Sequence, residues 1–136
     1  MKNRFFLYCI FFLAASIPSI FAQQHSVARE WNEILLNAIR TDFARPTVHA
    51  RNLFHTSVAL YDSWAVYDES AQTFLLGKTV GGFECPLDLA DVELPSDIRG
   101  AQEEAMSYAT YRLLRQRFMN SPNVALALMR IHEALP

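Results

Sequence analysis

Apolar positions along the chain predict three long helices. Residues 26–43 place Trp31, Leu35 and other apolar side chains at helical spacing, opposite charged ones. Residues 46–67 are apolar nearly all round, which is typical of a helix inside a core. Residues 96–118 carry a stripe of small and apolar side chains that we expect to contact other helices: Ile98, Ala101, Ala105, Ala109 and Leu113. The pattern therefore predicts an all-α fold, a helical bundle.

The segments that flank the third helix differ from it. Residues 69–95 contain three glycines and two prolines, so we expect a long loop, which is uncommon in a compact domain. Its anchors would be Phe74, Leu75, Leu76 and Phe83. A fourth helix is expected over residues 122–135, apolar on most sides and without a later partner in the sequence. We therefore expect an incomplete bundle, the N-terminal scaffold helices of a larger domain. The missing C-terminal half or another chain would pack on residues 122–135, and uncovered apolar faces would favour self-association.

The first 22 residues have the composition of a secretory signal peptide. A short basic start precedes an apolar run from Phe5 to Leu13, and the small residue Ala22 offers a cleavage site. The alternative is an uncleaved membrane anchor, but Pro18 and the small-residue exit favour cleavage. We expect an exported protein, periplasmic or extracellular, with no stable membrane anchor after cleavage. Residues 23–136 would then form the helical part.

Charge and cysteine content narrow the classes of function. The formal net charge is −2, and no basic patch indicates nucleic-acid binding. Cleavage near Ala22 would leave Cys85 as the single cysteine, so no internal disulfide framework is expected. That thiol would be either free or half of a bridge to another molecule.

Known catalytic and metal-binding patterns are missing from this sequence. His132 and Glu133 begin like a zinc-protease motif, but Pro136 stands where a second histidine is required. The sequence has no Glu-x-x-His pair, no Gly-x-Ser-x-Gly turn and no glycine loop for phosphate. His49 and His55 are six residues apart, nearly opposite on a helix. We therefore predict no catalytic, cofactor-binding or metal-binding residue in this chain.

A charged stripe on the second helix is the most specific polar feature. Arg51, His55 and Asp62 fall within about 40° of each other around the helix axis. Charge on a buried helix must be paired or hydrogen-bonded, because unpaired buried charge costs several kcal/mol. We interpret the three residues as a structural polar network. The alternative interpretation is a wall of a substrate site or a support behind one.

Several separate blocks resemble the N-terminal region of bacterial vanadium-dependent haloperoxidase-like proteins, relatives of the type 2 phosphatidic acid phosphatases. The blocks are Trp-Asn-Glu at 31–33, Ala-Ile-Arg at 38–40, Arg-Pro-Thr at 45–47, Ala-Arg at 50–51, Leu-Phe-His at 53–55 and Tyr-Asp-Ser-Trp-Ala at 61–65, with longer stretches at 76–83 and 104–114. The resemblance covers nearly all of residues 23–136.

The resemblance implies a helical bundle whose active site holds vanadate or phosphate. In the family that site lies in the C-terminal half and uses a Lys and an Arg-Pro, a Pro-Ser-Gly-His block, and a Ser-Arg block with a distal His. These blocks do not occur here. Arg45-Pro46 has Ala38 where the family's spacing would want Lys, and Asp97 and Ile98, not Gly-His, follow Pro95 and Ser96. We therefore expect an inactive, exported N-terminal scaffold fragment with no cofactor of its own. The full-length parent would oxidise halide with hydrogen peroxide at bound vanadate. The alternatives are the scaffold of an acid-phosphatase-type phosphohydrolase and a non-catalytic helical protein-interaction module.

Overall fold

The chain forms three helices with a small hairpin between the second and the third. The computed structural model describes residues 26–92, 94–123, 129 and 132–133. The helices are α1 (Val27–Arg40), α2 (Pro46–Ala65) and α3 (Ile98–Phe118); the strands are β1 (Lys78–Val80) and β2 (Phe83–Cys85), and a 3-10 turn follows at Leu89–Asp91. The structure is mostly helical, which confirms the all-α prediction.

Two predicted segments fall largely outside these residues. The signal peptide of residues 1–22 lies wholly outside them. Of the predicted fourth helix, most positions after Asn123 lie outside, and Met129, His132 and Glu133 are helical. None of the helices in the described part of the chain is long and apolar enough to cross a membrane.

Two of the helices begin at a side-chain cap, and α2 begins at a proline. The Ser26 hydroxyl accepts a hydrogen bond from the Arg29 N–H at 3.3 Å, which satisfies one free donor at the start of α1. Pro46 occupies the first turn of α2, where its missing N–H costs little. The Asp97 carboxylate accepts from the Gly100 N–H at 2.9 Å. This cap explains why α3 begins at residue 98 rather than at the expected residue 96.

The core lies where all three helices meet. It consists of apolar side chains that are almost completely buried: Trp31, Leu35, Ala38, Leu60, Leu114 and Phe118. The Trp31 indole N–H donates to the Ser107 hydroxyl at 3.1 Å, so the polar tip of the largest core side chain is satisfied. Helices α2 and α3 run antiparallel, because His55 contacts Arg117 near one end and Gln102 reaches the Trp64 carbonyl near the other.

The predicted contact stripe of α3 is wrong by one helical position. The buried residues are Ser107, Thr110, Leu114 and Phe118, whereas Ile98 is 43% exposed. Small hydroxyl side chains allow helices to approach closely, and Ser107 satisfies its hydroxyl on the Glu103 carbonyl at 2.8 Å. An interpretation based on apolar spacing alone could not place these polar residues inside.

The segment of residues 69–95 is more ordered than a loop, and two of its expected anchors are wrong. Gly81 and Gly82, both with positive φ, form the two-residue turn that joins the antiparallel strands β1 and β2. Phe74 and Phe83 are 50% and 64% exposed, so neither anchors the segment by burial. The attachment to α2 is polar instead.

Candidate functional site

Asp62 is the most deeply buried member of the charged stripe on α2. Only 4% of the residue is exposed. Its carboxylate accepts the backbone N–H groups of Phe74, Leu75 and Leu76 at 2.5, 2.8 and 2.9 Å. Three charge-assisted bonds offset the cost of removing a carboxylate from water. Asp62 therefore attaches the segment after α2 to the last turn of that helix.

Local turns bring residues 74–76 back to Asp62. The Asp68 carboxylate accepts the N–H groups of Ser70 and Ala71, and the Ser70 hydroxyl donates to it at 2.6 Å. These bonds, those from Ser70 above all, lower the pKa of Asp68. The Tyr61 hydroxyl donates to the Gln72 carbonyl at 3.0 Å. The chain thus reverses direction and returns along α2.

His55 contacts α3 rather than Asp62. Its Nδ1 lies 2.7 Å from a guanidinium nitrogen of Arg117. A guanidinium can only donate, so Nδ1 accepts and the proton of the neutral ring is on Nε2. Burial and the positive charges of Arg117 and Arg51 lower the pKa of His55. Near neutral pH the imidazole is therefore uncharged and presents one N–H donor.

Arg51 lies one turn before His55 on the same side of α2. It is exposed and acts on His55 through its charge. The structure thus brings Arg51 and His55 together with Arg117, and it places Asp62 in a separate contact with the following segment. Sequence reasoning missed Arg117 as a partner. The available signal was the group of arginines near the end of α3, at positions 112, 115 and 117.

Exposed aromatic rings lie beside the cationic cluster of Arg51, His55 and Arg117. Phe54, 56% exposed, has its ring centroid 5.9 Å from that of His55. The Phe74 ring meets Phe54 edge-on at 6.1 Å. Both rings belong to the same surface, because Asp62 attaches the Phe74 backbone to α2. The cluster therefore combines cationic groups and apolar area.

A second candidate is an open cleft of about 580 Å³ at the C-terminal end of α2. It contains the carboxylates of Asp68, Glu69 and Asp88 and the amine of Lys78. The Lys78 amine donates to the Thr73 carbonyl, so this lysine has a structural role. Across the described residues, no group of three or more His, Cys, Asp or Glu side chains could hold a metal ion.

Comparison with known proteins adds no further constraint. No protein-family model matches this chain, and no curated protein or solved structure matches it.

Proposed function

We propose that this chain is the N-terminal scaffold of an exported vanadium-dependent haloperoxidase-like protein. The parent oxidises halide with hydrogen peroxide at vanadate held by residues outside this chain. In support, the blocks that carry the resemblance include residues that hold the three helices together. Trp31 lies in the core, Ser107 receives its indole N–H, and Asp62 holds the segment after α2.

The observation that carries a scaffold role is the unequal covering of α2. Its sequence is apolar nearly all round, which is typical of a helix enclosed by others. One side is buried through Asn52, Thr56 and Leu60. Beside that buried side Leu53 is 40% exposed, and on the opposite side Phe54 is 56% exposed. Exposed apolar area of this kind is typical of a surface that packs against another body.

His55 does not fit the role of a vanadate ligand. In such a site an imidazole nitrogen must be free to bind the metal. Nδ1 of His55 is taken by the Arg117 guanidinium, and Nε2 carries the proton. We therefore assign no step of halide oxidation to this chain, and the scaffold role concerns packing alone.

Two other functions are compatible with the same exposed face of α2. The parent could be an acid-phosphatase-type phosphohydrolase, because the resemblance extends to that group of enzymes. The chain could also be a non-catalytic helical module that binds another protein. This module needs an apolar face but no catalytic group, so the exposed Leu53 and Phe54 favour it as well.

One experiment separates these functions. The gene is read beyond codon 136 for a Pro-Ser-Gly-His block, and any such segment is co-expressed with this chain. The scaffold proposal predicts co-purification and vanadate-dependent bromination of a reporter dye with peroxide, neither of which this chain shows alone. Phosphatase activity without bromination would favour the phosphohydrolase. Absence of any such segment, in this gene or a neighbouring one, would favour the interaction module.

Variants of α2 test whether the side that carries the exposed Leu53 is the packing surface. Leu53→Asp should abolish co-purification, because it buries a charge at the contact. Glu33→Lys, at an exposed position of α1, is the control and should leave co-purification unchanged. Equal binding by both variants would show that the partner packs elsewhere, such as on residues 122–135.

Export is a separate part of the proposal. The apolar run of residues 5–13 and the small residue Ala22 support it. Expression of the full gene in a bacterial host, followed by fractionation and mass measurement, should give a periplasmic or secreted product that begins near Gln23. A product of full mass in the membrane fraction would favour the anchor.

A further inference from the structure

Arg51, His55 and Arg117 form a cationic cluster where α2 and α3 run antiparallel. We propose that this cluster, with the exposed rings of Phe54 and Phe74, binds an organic anion, meaning a carboxylate or phosphate group joined to an apolar body. The site is built from described residues alone and does not depend on the identity of a parent enzyme.

The donors of the cluster suit an oxyanion. The Arg117 guanidinium uses one nitrogen on His55 Nδ1, and within the described residues its other N–H groups have no acceptor. Because Nδ1 of His55 accepts this bond, the ring proton is on Nε2, which can donate to an anion. Arg51, exposed and one turn away, adds a second planar guanidinium. Guanidinium groups bind carboxylate and phosphate through paired N–H donors.

The positive charge of the cluster is not neutralised by the described part of the chain. The ion pairs found there are Arg45–Asp42 and Arg99–Glu103, and neither involves Arg51 or Arg117. Besides burial, the positive charges of Arg117 on α3 and Arg51 on α2 lower the pKa of His55. Two like charges beside a neutral imidazole repel each other, and a bound anion would relieve that repulsion.

The aromatic pair distinguishes an organic anion from a simple inorganic one. Phe54 and Phe74 are 56% and 50% exposed and lie edge to face at 6.1 Å. The Phe54 ring is also next to the His55 ring, at 5.9 Å between centroids. An anion held by the cluster would therefore place an attached apolar group against these rings, where burial of its surface adds to the affinity.

The experiment follows the imidazole nitrogens of His55 by NMR in the full chain while an anion is titrated. The probes are phenyl phosphate, benzoate and inorganic phosphate. We expect phenyl phosphate or benzoate to shift the Nε2 signal and to raise the pKa of His55, since the anion offsets the charges of Arg51 and Arg117. Tighter binding of phenyl phosphate assigns the site to phosphate esters, and tighter binding of benzoate assigns it to carboxylates.

Variants test the cluster and the rings separately. Arg117→Gln or Arg51→Gln should weaken binding by about threefold to tenfold, the loss of a charge-assisted bond at a partly screened surface. Phe54→Ala should remove the preference for phenyl phosphate over inorganic phosphate.

Arg115→Gln is the matched control, because it removes the same charge from the last turn of α3 without a contact to His55. It should bind like the unchanged chain. The proposal is overturned if no probe shifts His55, if Arg115→Gln weakens binding as much as Arg117→Gln, or if inorganic phosphate binds as well as phenyl phosphate. Far-UV circular dichroism of each variant checks that the helices are retained.

Discussion

Asp62 and His55 lie on the same side of α2, yet their electrostatic environments are opposite. Asp62 is a buried anion whose oxygens accept three backbone N–H groups from the segment that follows α2. His55 is a half-buried base between two cations, and its one described hydrogen bond comes from Arg117. The carboxylate of Asp62 is satisfied within the fold, whereas the Nε2–H of His55 has no acceptor among the described residues.

Position on a helix therefore does not by itself decide what a polar residue does. Asp62 is close in sequence to its partners, which are 12 to 14 residues later. His55 meets a partner 62 residues away on another helix. The backbone N–H groups balance the charge of Asp62, whereas Arg117 adds positive charge beside the neutral imidazole of His55. We therefore expect substitutions at Asp62 to affect stability, and those around His55 to affect ionisation and binding.

The largest effect is expected for Asp62→Ala. The substitution leaves three backbone N–H groups of residues 74–76 without their acceptor, so the free energy of unfolding should fall by about 1–3 kcal/mol. Urea unfolding measures this loss. Hydrogen exchange should show faster exchange at Leu75 and Leu76, whose N–H groups lose their bonds.

Asp68→Ala is the control for that prediction. Asp68 also accepts backbone N–H groups, but it lies in a turn at the surface. Water can replace the lost acceptor there, so the loss of stability should be smaller than for Asp62→Ala. An equal or larger loss would show that burial of the Asp62 carboxylate is not what makes its contacts important.

The three main helices were predictable because capping residues and apolar spacing are local signals. The predicted second helix begins at Pro46, where α2 begins, and the first and third differ from the structure by up to three residues at their ends. The buried side of α3 was not predictable from apolar spacing, because Ser107 and Thr110 lie inside it. Whether a hydroxyl is buried depends on the helix that packs against it.

The candidate site was predictable only in part. The sequence placed Arg51, His55 and Asp62 on one stripe, but it could not show that Arg117 contacts His55, because that contact depends on the antiparallel pairing of α2 and α3. Nor could it show that Asp62 binds the segment after α2. Its partners are backbone N–H groups, which nearly every residue has, so the residue types do not identify them. Tertiary packing decides both contacts.

A smaller effect is expected when the pH falls. The pKa of His55 is lowered in the folded state by burial, Arg117 and Arg51. Between that value and the unfolded value of about 6.5, the unfolded chain binds more protons, so the free energy of unfolding should fall as pH falls through this window. Asp42 and Asp68 have lowered pKa values and titrate below the window. Urea unfolding at several pH values measures the slope, and His55→Gln should reduce it. An unchanged slope in that variant would show that His55 is not its source.

The smallest effect on stability is expected for Arg51→Gln, and this variant separates charge from structure most clearly. Arg51 is exposed, so the free energy of unfolding should change by less than about 0.5 kcal/mol. The pKa of His55 should rise nevertheless, because one of two nearby positive charges is removed. Arg117→Gln should raise it further, since Arg117 is the nearer cation and contacts the ring directly. An NMR titration of the His55 ring measures both shifts. If the pKa of His55 stays unchanged in Arg51→Gln, then Arg51 does not affect the imidazole. In that case Arg51 is not part of the cationic cluster.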